Sequence, residues 1–334
     1  MKVLVTGAAG HVATRALAGL ESRHELVLAD VVQPSEVPPH ASFARLSLLT
    51  ASEDELTALF EGVDVVVHSA YKPSADVDVY SSQPPQLERF DIELDNIRMA
   101  ARVYLTALCS SVRRVVVVSS NHAADWYEHA QIHQGTRDMV YPGDLPLSDN
   151  FYGWSKSAYE LLGWPYACGT FGRRLEMVNL RIGSPYPIDV AKYRAGSAPA
   201  DSSLPRPSGL PGFKRALGAF LSDRDCAQLF QRATEAEGIV GAGEVPWVVV
   251  YGVSANTRRF WSLDSARTAL GYHPEDNSEL LYRDAVNELF GTGLAGTAGR
   301  LGPVASGRSP TSPNAGSEWP PPRRPDISPE GLRS

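Results

Sequence analysis

A tyrosine and a lysine four residues apart, in Tyr152-Gly153-Trp154-Ser155-Lys156, carry the sharpest chemical signal in the chain. On a helix, residues at that spacing share one face. An ammonium beside a phenol favours the phenolate and lowers the phenol's pKa from about 10. A phenolate so favoured can take the proton of an alcohol while hydride leaves the same carbon for a nicotinamide ring. The pattern also occurs as an ordinary surface pair, so its meaning depends on where the fold places it. Upstream, Val118-Ser119-Ser120-Asn121-His122 ends a strand-like run of valines. Ser120 is positioned to hydrogen-bond the reacting oxygen and stabilise its developing charge. Ser119 is the substitute candidate, and simple strand-end capping is the plain alternative. Asn96 lies mid-helix, where Asn has poor propensity. An internal polar bond or a proton relay through water would account for it.

A second signal sits at the start of the chain. Thr6-Gly7-Ala8-Ala9-Gly10-His11-Val12-Ala13 falls between a short apolar run and a helical stretch. Gly7 permits a tight turn, and Gly10 lets backbone approach a pyrophosphate at the helix N-terminus, beside His11 and Val12. Ala13 stands where a third glycine is usual, and a methyl can still meet the need for close packing. Asp30 follows about twenty residues beyond the glycines. A carboxylate there bonds ribose hydroxyls and repels a 2′-phosphate, which favours NAD over NADP. Ser47 and Leu48 are placed to touch the adenine, and Ala70 to lie beside the cofactor. A plain strand-turn-helix and a solvated strand-end Asp are the bland readings.

These residues need elements to position them. Strand-like runs at 3–6, 25–30, 43–46, 63–68, 114–119 and 176–182 alternate with helical stretches at 11–20, 52–60, 87–109 and 152–163. That alternation predicts a doubly wound parallel α/β sheet, a Rossmann fold. Ser52 with Glu55 reads as a capping box. Beyond it, 195–211 is rich in Pro, Ser and Gly and reads as a surface loop. Helices are expected at 224–235, 264–270 and 279–290, and a strand at 247–251. The expected organisation is a dinucleotide-binding region over 1–183, a small mixed substrate region over 184–290 that is not fully separate, and a tail over 291–334. Gly and Pro make up over a third of that tail, which is expected to be disordered.

Bulk properties set limits. The chain has 334 residues and a formal charge of -7, which argues against a general nucleic-acid binder. No apolar run approaches membrane-spanning length, and the N-terminus reads as a strand and turn rather than a signal peptide. Cys109, Cys168 and Cys226 lack metal-ligand spacing and suit a reducing cytoplasm. His129 and His133, four apart beside Glu128, suggest a metal site on a helix, but no third ligand is evident. Asp223 and Asp225 read as a solvated helix start.

Taken together, TGAAGHVA, Asp30, Asn96, Ser120 and YGWSK resemble the extended short-chain dehydrogenase/reductase (NAD-dependent epimerase/dehydratase) family over roughly residues 1–290. More narrowly, SSNH at 119–122, RIGS at 181–184, Tyr193-Arg194, SAN at 254–256 and GYHPEDNSE from Gly271 are similar to uronate dehydrogenases. The resemblance implies oxidation of a cyclic uronate to an aldarolactone with reduction of NAD. It implies sugar contacts from Ser74, Asn121, His122 and Ser184, with Tyr152 touching substrate and Lys156 the nicotinamide ribose. Arg194 would grip the carboxylate, since a guanidinium fork matches it bidentately. The bland readings are a packed His122, a solvated Arg194 and a loop-capping Ser184. The chain departs from the pattern in a longer segment between Ser120 and Tyr152 and in the 195–211 loop, both expected to flank the substrate pocket. A homo-oligomer through the Asn96 and Tyr152 helices, using Leu94, Ile97, Leu105, Leu161 and Leu162, is also implied. The alternatives are a sugar-nucleotide epimerase or dehydratase on the same fold and a non-catalytic NAD-binding redox sensor.

Overall fold

The computed structural model describes residues 1–73, 87–194 and 209–290. Ser74, the 195–208 stretch and the 291–334 tail lie outside the described residues. Seven strands form one parallel sheet: β1 (Lys2–Thr6), β2 (Glu25–Asp30), β3 (Ala41–Arg45), β4 (Val65–His68), β5 (Arg114–Ser120), β6 (Glu176–Ile182) and β7 (Trp247–Gly252). Their spatial order is β3-β2-β1-β4-β5-β6-β7. The order turns back at β1, which pairs with β2 on one side and β4 on the other. A crevice at such a switch point is where this kind of sheet binds ligands.

The strands are valine-rich because both faces are covered. Val3, Val5, Val65, Val67, Val116 and Val118 point to one side. There they pack with Ala13, Ala16 and Leu17 of helix α1 (His11–Leu17) and with Cys226, Leu229 and Phe230 further along the chain. Leu4, Val66, Val115 and Val117 point to the other side, against α2 (Glu53–Leu59), α3 (Leu87–Cys109) and Tyr159. The capping box forms as expected: Ser52 and Glu55 exchange bonds at the start of α2.

The remaining helices are α4 (Asp125–Tyr127), α5 (Phe151–Cys168), α6 (Val190–Arg194), α7 (Gly209–Ala219), α8 (Asp223–Glu235), α9 (Asp264–Leu270), α10 (Ser278–Leu281) and α11 (Arg283–Phe290). Three expectations change here. Helix α7 begins inside the stretch read as loop, with Pro211 in its first turn, where the missing N–H costs no intrahelical bond. The helix expected over 279–290 is two helices, α10 and α11. Asp225 is not solvated: it is buried and accepts the backbone N–H groups of Glu275 and Asp276 at 2.9 and 3.0 Å. Asp223 does stay exposed, paired with Arg15.

The region after β6 is also continuous with the sheet. β7 pairs with β6 from Met177↔Trp247 to Ile182↔Gly252. Among the described residues, no helix is long and apolar enough to cross a membrane.

Candidate active site

A cleft of about 580 Å³ opens at the C-terminal ends of β1, β5 and β6. Its walls include Gly7, Gly10, His11, Val12 and Asp30 on one side, and Ser120, Asn121, His122, Tyr152, Lys156 and Ser184 on the other. Eleven of the residues singled out from the sequence therefore share one cavity.

The glycine turn is built for close approach. Gly7 has φ +71°, and a Cβ there would lie 2.5 Å from the backbone of Ala70. Ala70 thus packs under the turn, while its neighbours Ser69 and Tyr71 line the cleft. Asp30 holds the turn as well as facing the cavity: its carboxylate accepts the N–H of Ala9 at 2.9 Å and of Val32 at 3.1 Å. His11 Nδ1 accepts from Arg15 at 3.0 Å, so Nε2 carries the proton donated to the Pro185 carbonyl at 2.7 Å. The His11 ring stacks on Tyr186, with centroids 3.8 Å apart.

Tyr152 and Lys156 sit in the first two turns of α5. Asn150 caps that helix by accepting the Gly153 N–H at 2.8 Å. A Cβ on Gly153 would lie 2.0 Å from the His122 carbonyl, so only glycine lets α5 pack against the end of β5 and bring Tyr152 to Ser120. Ser120 bonds the Tyr152 phenol and accepts the His122 N–H at 3.2 Å. Ser119 is committed elsewhere. It donates at 2.5 Å to Glu160, which is locked bidentately to the buried Arg181. This separates the two serines: Ser120 faces the cleft chemistry, and Ser119 belongs to a structural ion pair.

Electrostatics at the pair differ from the simple sequence expectation. Burial pushes Tyr152 up to about 12, against a lowering by the Ser120 hydrogen bond. Burial also brings Lys156 down to about 8, opposed by Glu93 and Glu160. Burial thus opposes charge on both groups, moving the phenol up and the ammonium down from their ordinary values. Its ammonium lies 5.6 Å from the Tyr152 ring centre and donates to the Val118 carbonyl at 3.1 Å. His68, behind it, is held neutral: burial, then the Lys156 charge, push it to about 3.

Asn96 is not in the cleft. It is buried and holds the chain at Lys72, accepting that residue's N–H at 2.7 Å and donating to its carbonyl at 3.1 Å. That bond fixes the segment carrying Tyr71. Glu93, one turn earlier on α3, accepts the Tyr71 hydroxyl at 2.6 Å and the Ser155 hydroxyl. Ser47 and Leu48 also stand outside the cleft. Leu48 is core, and its carbonyl accepts from Arg102.

The largest displacement concerns Arg194. It lies on the exposed end of α6 and forms a salt bridge to Glu288, away from the cleft. Among the described residues, the guanidinium that lines the cleft is Arg215, on α7. Its Nε and Nη2 donate to Glu128 at 2.7 and 3.1 Å. With the Asn121 amide oriented to satisfy its neighbours, Asn121 accepts from Arg215 at 3.3 Å and donates to the Ile182 carbonyl at 3.0 Å. Glu128 opens a π-helical turn (Glu128–Ile132), whose wider spacing brings residues five apart together. His133 Nε2 thereby reaches Glu128 at 3.1 Å. On the same segment Asp125, fully buried, accepts from His122 Nδ1 at 2.8 Å and from Asn150 at 2.7 Å. Asp125, His129 and Asp149 bring ligand atoms within 4.8 Å of one another. His129 is bonded to Asp149 at 2.6 Å, and the Asp125 carboxylate is already shared by His122 and Asn150.

Nothing in the sequence points to Arg215 or Asp125, and Glu128 stands out there only beside two histidines, not as a partner for an arginine. Arg215 follows a long Pro-rich stretch that hides the start of its helix. Asp125 and Glu128 depend on a π turn with no apolar period to announce it. Glu93 did carry a hint, three residues before Asn96 on the same helical face.

Comparison with known proteins agrees with this architecture. The chain is 32% identical over 285 residues to an L-arabinose 1-dehydrogenase (NAD(P)(+)) of Haloferax volcanii, covering 83% of this chain and 97% of that protein. It is 29% identical to a uronate dehydrogenase of Pseudomonas syringae pv. tomato, covering 84% and 83%. The crystal structure of a glucuronic acid dehydrogenase from Chromohalobacter salexigens superposes with a TM-score of 0.62 at 25% identity, covering 86% of this chain and 88% of that one. A sequence profile matches residues 3–187, and with the cleft described above it places the chain in the NAD dependent epimerase/dehydratase family.

Proposed function

We propose that the chain is an NAD-dependent dehydrogenase that oxidises the anomeric hydroxyl of a sugar or sugar acid to a lactone. The observation that carries this is the meeting of Ser120, Tyr152 and Lys156 in the same cleft as the Gly7–Gly10 turn and Asp30. The relatives named for L-arabinose position 1 and for uronates support the same reaction class.

The residues present fit the cofactor. Gly7 and Gly10 leave room where a side chain would collide with backbone. Asp30 faces the cleft at the end of β2, where a carboxylate suits ribose hydroxyls. Lys156 lies deep enough to reach the nicotinamide ribose. When bound, NAD⁺ supplies a positive ring that accepts hydride from the sugar carbon. The protein's part is then proton handling. Ser120 donates to the reacting oxygen, and Tyr152 takes the hydroxyl proton as the C–H electrons leave, so that C–OH becomes C=O. Asn121, His122 and Ser184 line the sugar end, and among the described residues the arginine there is Arg215, not Arg194.

NADH formation measured over a panel of aldoses and uronates tests this reading. Turnover of any of them supports it. Silence with all of them, together with conversion of a nucleotide sugar, would replace it by the epimerase alternative. Asp30→Ala is expected to raise KM for NAD and to narrow the NAD/NADP ratio of kcat/KM by roughly tenfold or more. An unchanged ratio would remove Asp30 from the ribose site.

The same reading includes a homo-oligomer through α3 and α5, on which Leu105 and Leu161 are exposed. Light scattering showing only monomer would discard it. The three free thiols fit a reducing cytoplasm.

A further inference from the structure

We propose that the sugar oxidised in this cleft is uncharged, an aldose carrying hydrogen or hydroxymethyl where a uronate carries its carboxylate. The inference rests on the dehydrogenase reading above and narrows its substrate. Among the described residues, and apart from Lys156 beside Tyr152, two basic side chains line the sugar end of the cleft, Arg215 and His122. Each is already backed by a buried carboxylate. Arg215 presents its Nε–Nη2 edge to Glu128, which is 1% exposed. His122 gives its Nδ1 proton to Asp125, which is 0% exposed. Among the described residues at that end, one guanidinium therefore stands against two buried carboxylates.

The Nε–Nη2 edge is a geometry by which arginine grips a carboxylate with two parallel bonds. Here Glu128 fills it from within the protein. A ligand carboxylate taking that edge would strand Glu128 in a buried place, with His133 as its remaining partner. It would also bring a third anion beside Glu128 and Asp125. Stranding a buried charge outweighs what the new pair would gain. A hydroxyl carries no such penalty. It accepts from a guanidinium or donates to an imidazole without displacing either carboxylate. The arrangement is also held stiffly: the π turn fixes Glu128, and the Arg215 guanidinium lies 5.8 Å from the Trp261 ring centre. The Glu128–Arg215 pair thus orients a hydrogen-bond donor rather than offering an anion receptor.

Two matched series test this in the full chain with NAD. L-arabinose, D-galactose and D-galacturonate share ring configuration and differ only at the C5 substituent. D-xylose, D-glucose and D-glucuronate do the same. In whichever series is turned over, kcat/KM for the neutral sugars is expected to exceed that for the uronate by at least roughly tenfold. Glu128→Gln keeps an acceptor for Arg215 and removes the charge, and is expected to shrink that ratio by about tenfold. A wild-type enzyme that handles the uronate as well as the neutral sugars overturns the proposal. So does a folded Glu128→Gln variant, checked by circular dichroism, with the ratio unmoved. If Glu128→Gln does not fold, the wild-type ratio decides alone. If no sugar of either charge reduces NAD, the dehydrogenase reading itself fails, and the proposal falls with it. That outcome is distinct from a uronate preference.

Discussion

Tyr152→Phe is expected to cut NADH formation by roughly 10²–10⁴-fold while leaving NADH binding close to wild type. The substitution removes one oxygen from a ring held by packing, so the cleft keeps its shape. What goes is the atom that receives the sugar's proton. The wild-type pH profile should carry the same signature. Burial holds Tyr152 near 12, so the deprotonated form that can act as base is scarce at neutral pH and grows as pH rises. Activity should therefore climb through the mildly alkaline range. Lys156, near 8, gives up its charge within that range and tempers the climb. Steady-state rates with fluorescence titration of NADH separate the two effects. A Tyr152→Phe variant with near-normal turnover would remove catalysis from this cleft. A variant that loses NADH binding as well would show Tyr152 to be structural.

Glu160→Ala is expected to lower the free energy of unfolding by about 3–5 kcal/mol. Glu160 and Arg181 are both about 1% exposed and bonded at 2.7 to 3.2 Å. Truncating the acid leaves a guanidinium buried against Tyr251 without its counter-charge. It also strips Ser119 of its acceptor. The cost exceeds that of any surface pair, such as Arg194 with Glu288, because water cannot replace the lost partner. Urea denaturation followed by circular dichroism measures it. A loss under about 1 kcal/mol would mean that the pair contributes no more than a surface salt bridge.

Much of the architecture was legible in the sequence because its signals are local. Short apolar runs rich in valine, alternating with helical stretches, point to the parallel sheet, and Ser52 with Glu55 marks the start of α2. Gly7, Asp30, Ser120, Tyr152 and Lys156 were legible for a related reason: each sits at a strand end or on one helix face, where spacing predicts position. Arg194 instead pairs with Glu288 at the exposed end of α6, and the arginine that lines the cleft comes from α7, whose start the Pro-rich run conceals. Spacing shows the proximity of Tyr152 and Lys156 but not their burial, which moves the phenol up and the ammonium down. Asn96 was read as an internal polar bond or a relay. The structure gives the bond, to the backbone at Lys72.

β7 has a consequence for how the chain reaches this state. The strand that covers β6 lies about 65 residues downstream of it, beyond the 195–208 stretch and the helices α6, α7 and α8. Until a growing chain has emerged past Gly252, β6 presents an uncovered row of peptide groups on an apolar strand, a template for pairing with another copy. During synthesis, which adds residues over seconds, that edge is the stretch in greatest need of chaperone protection. Chains cut between α8 and β7 would keep the cleft's glycine turn and its Tyr–Lys helix and still be prone to aggregate.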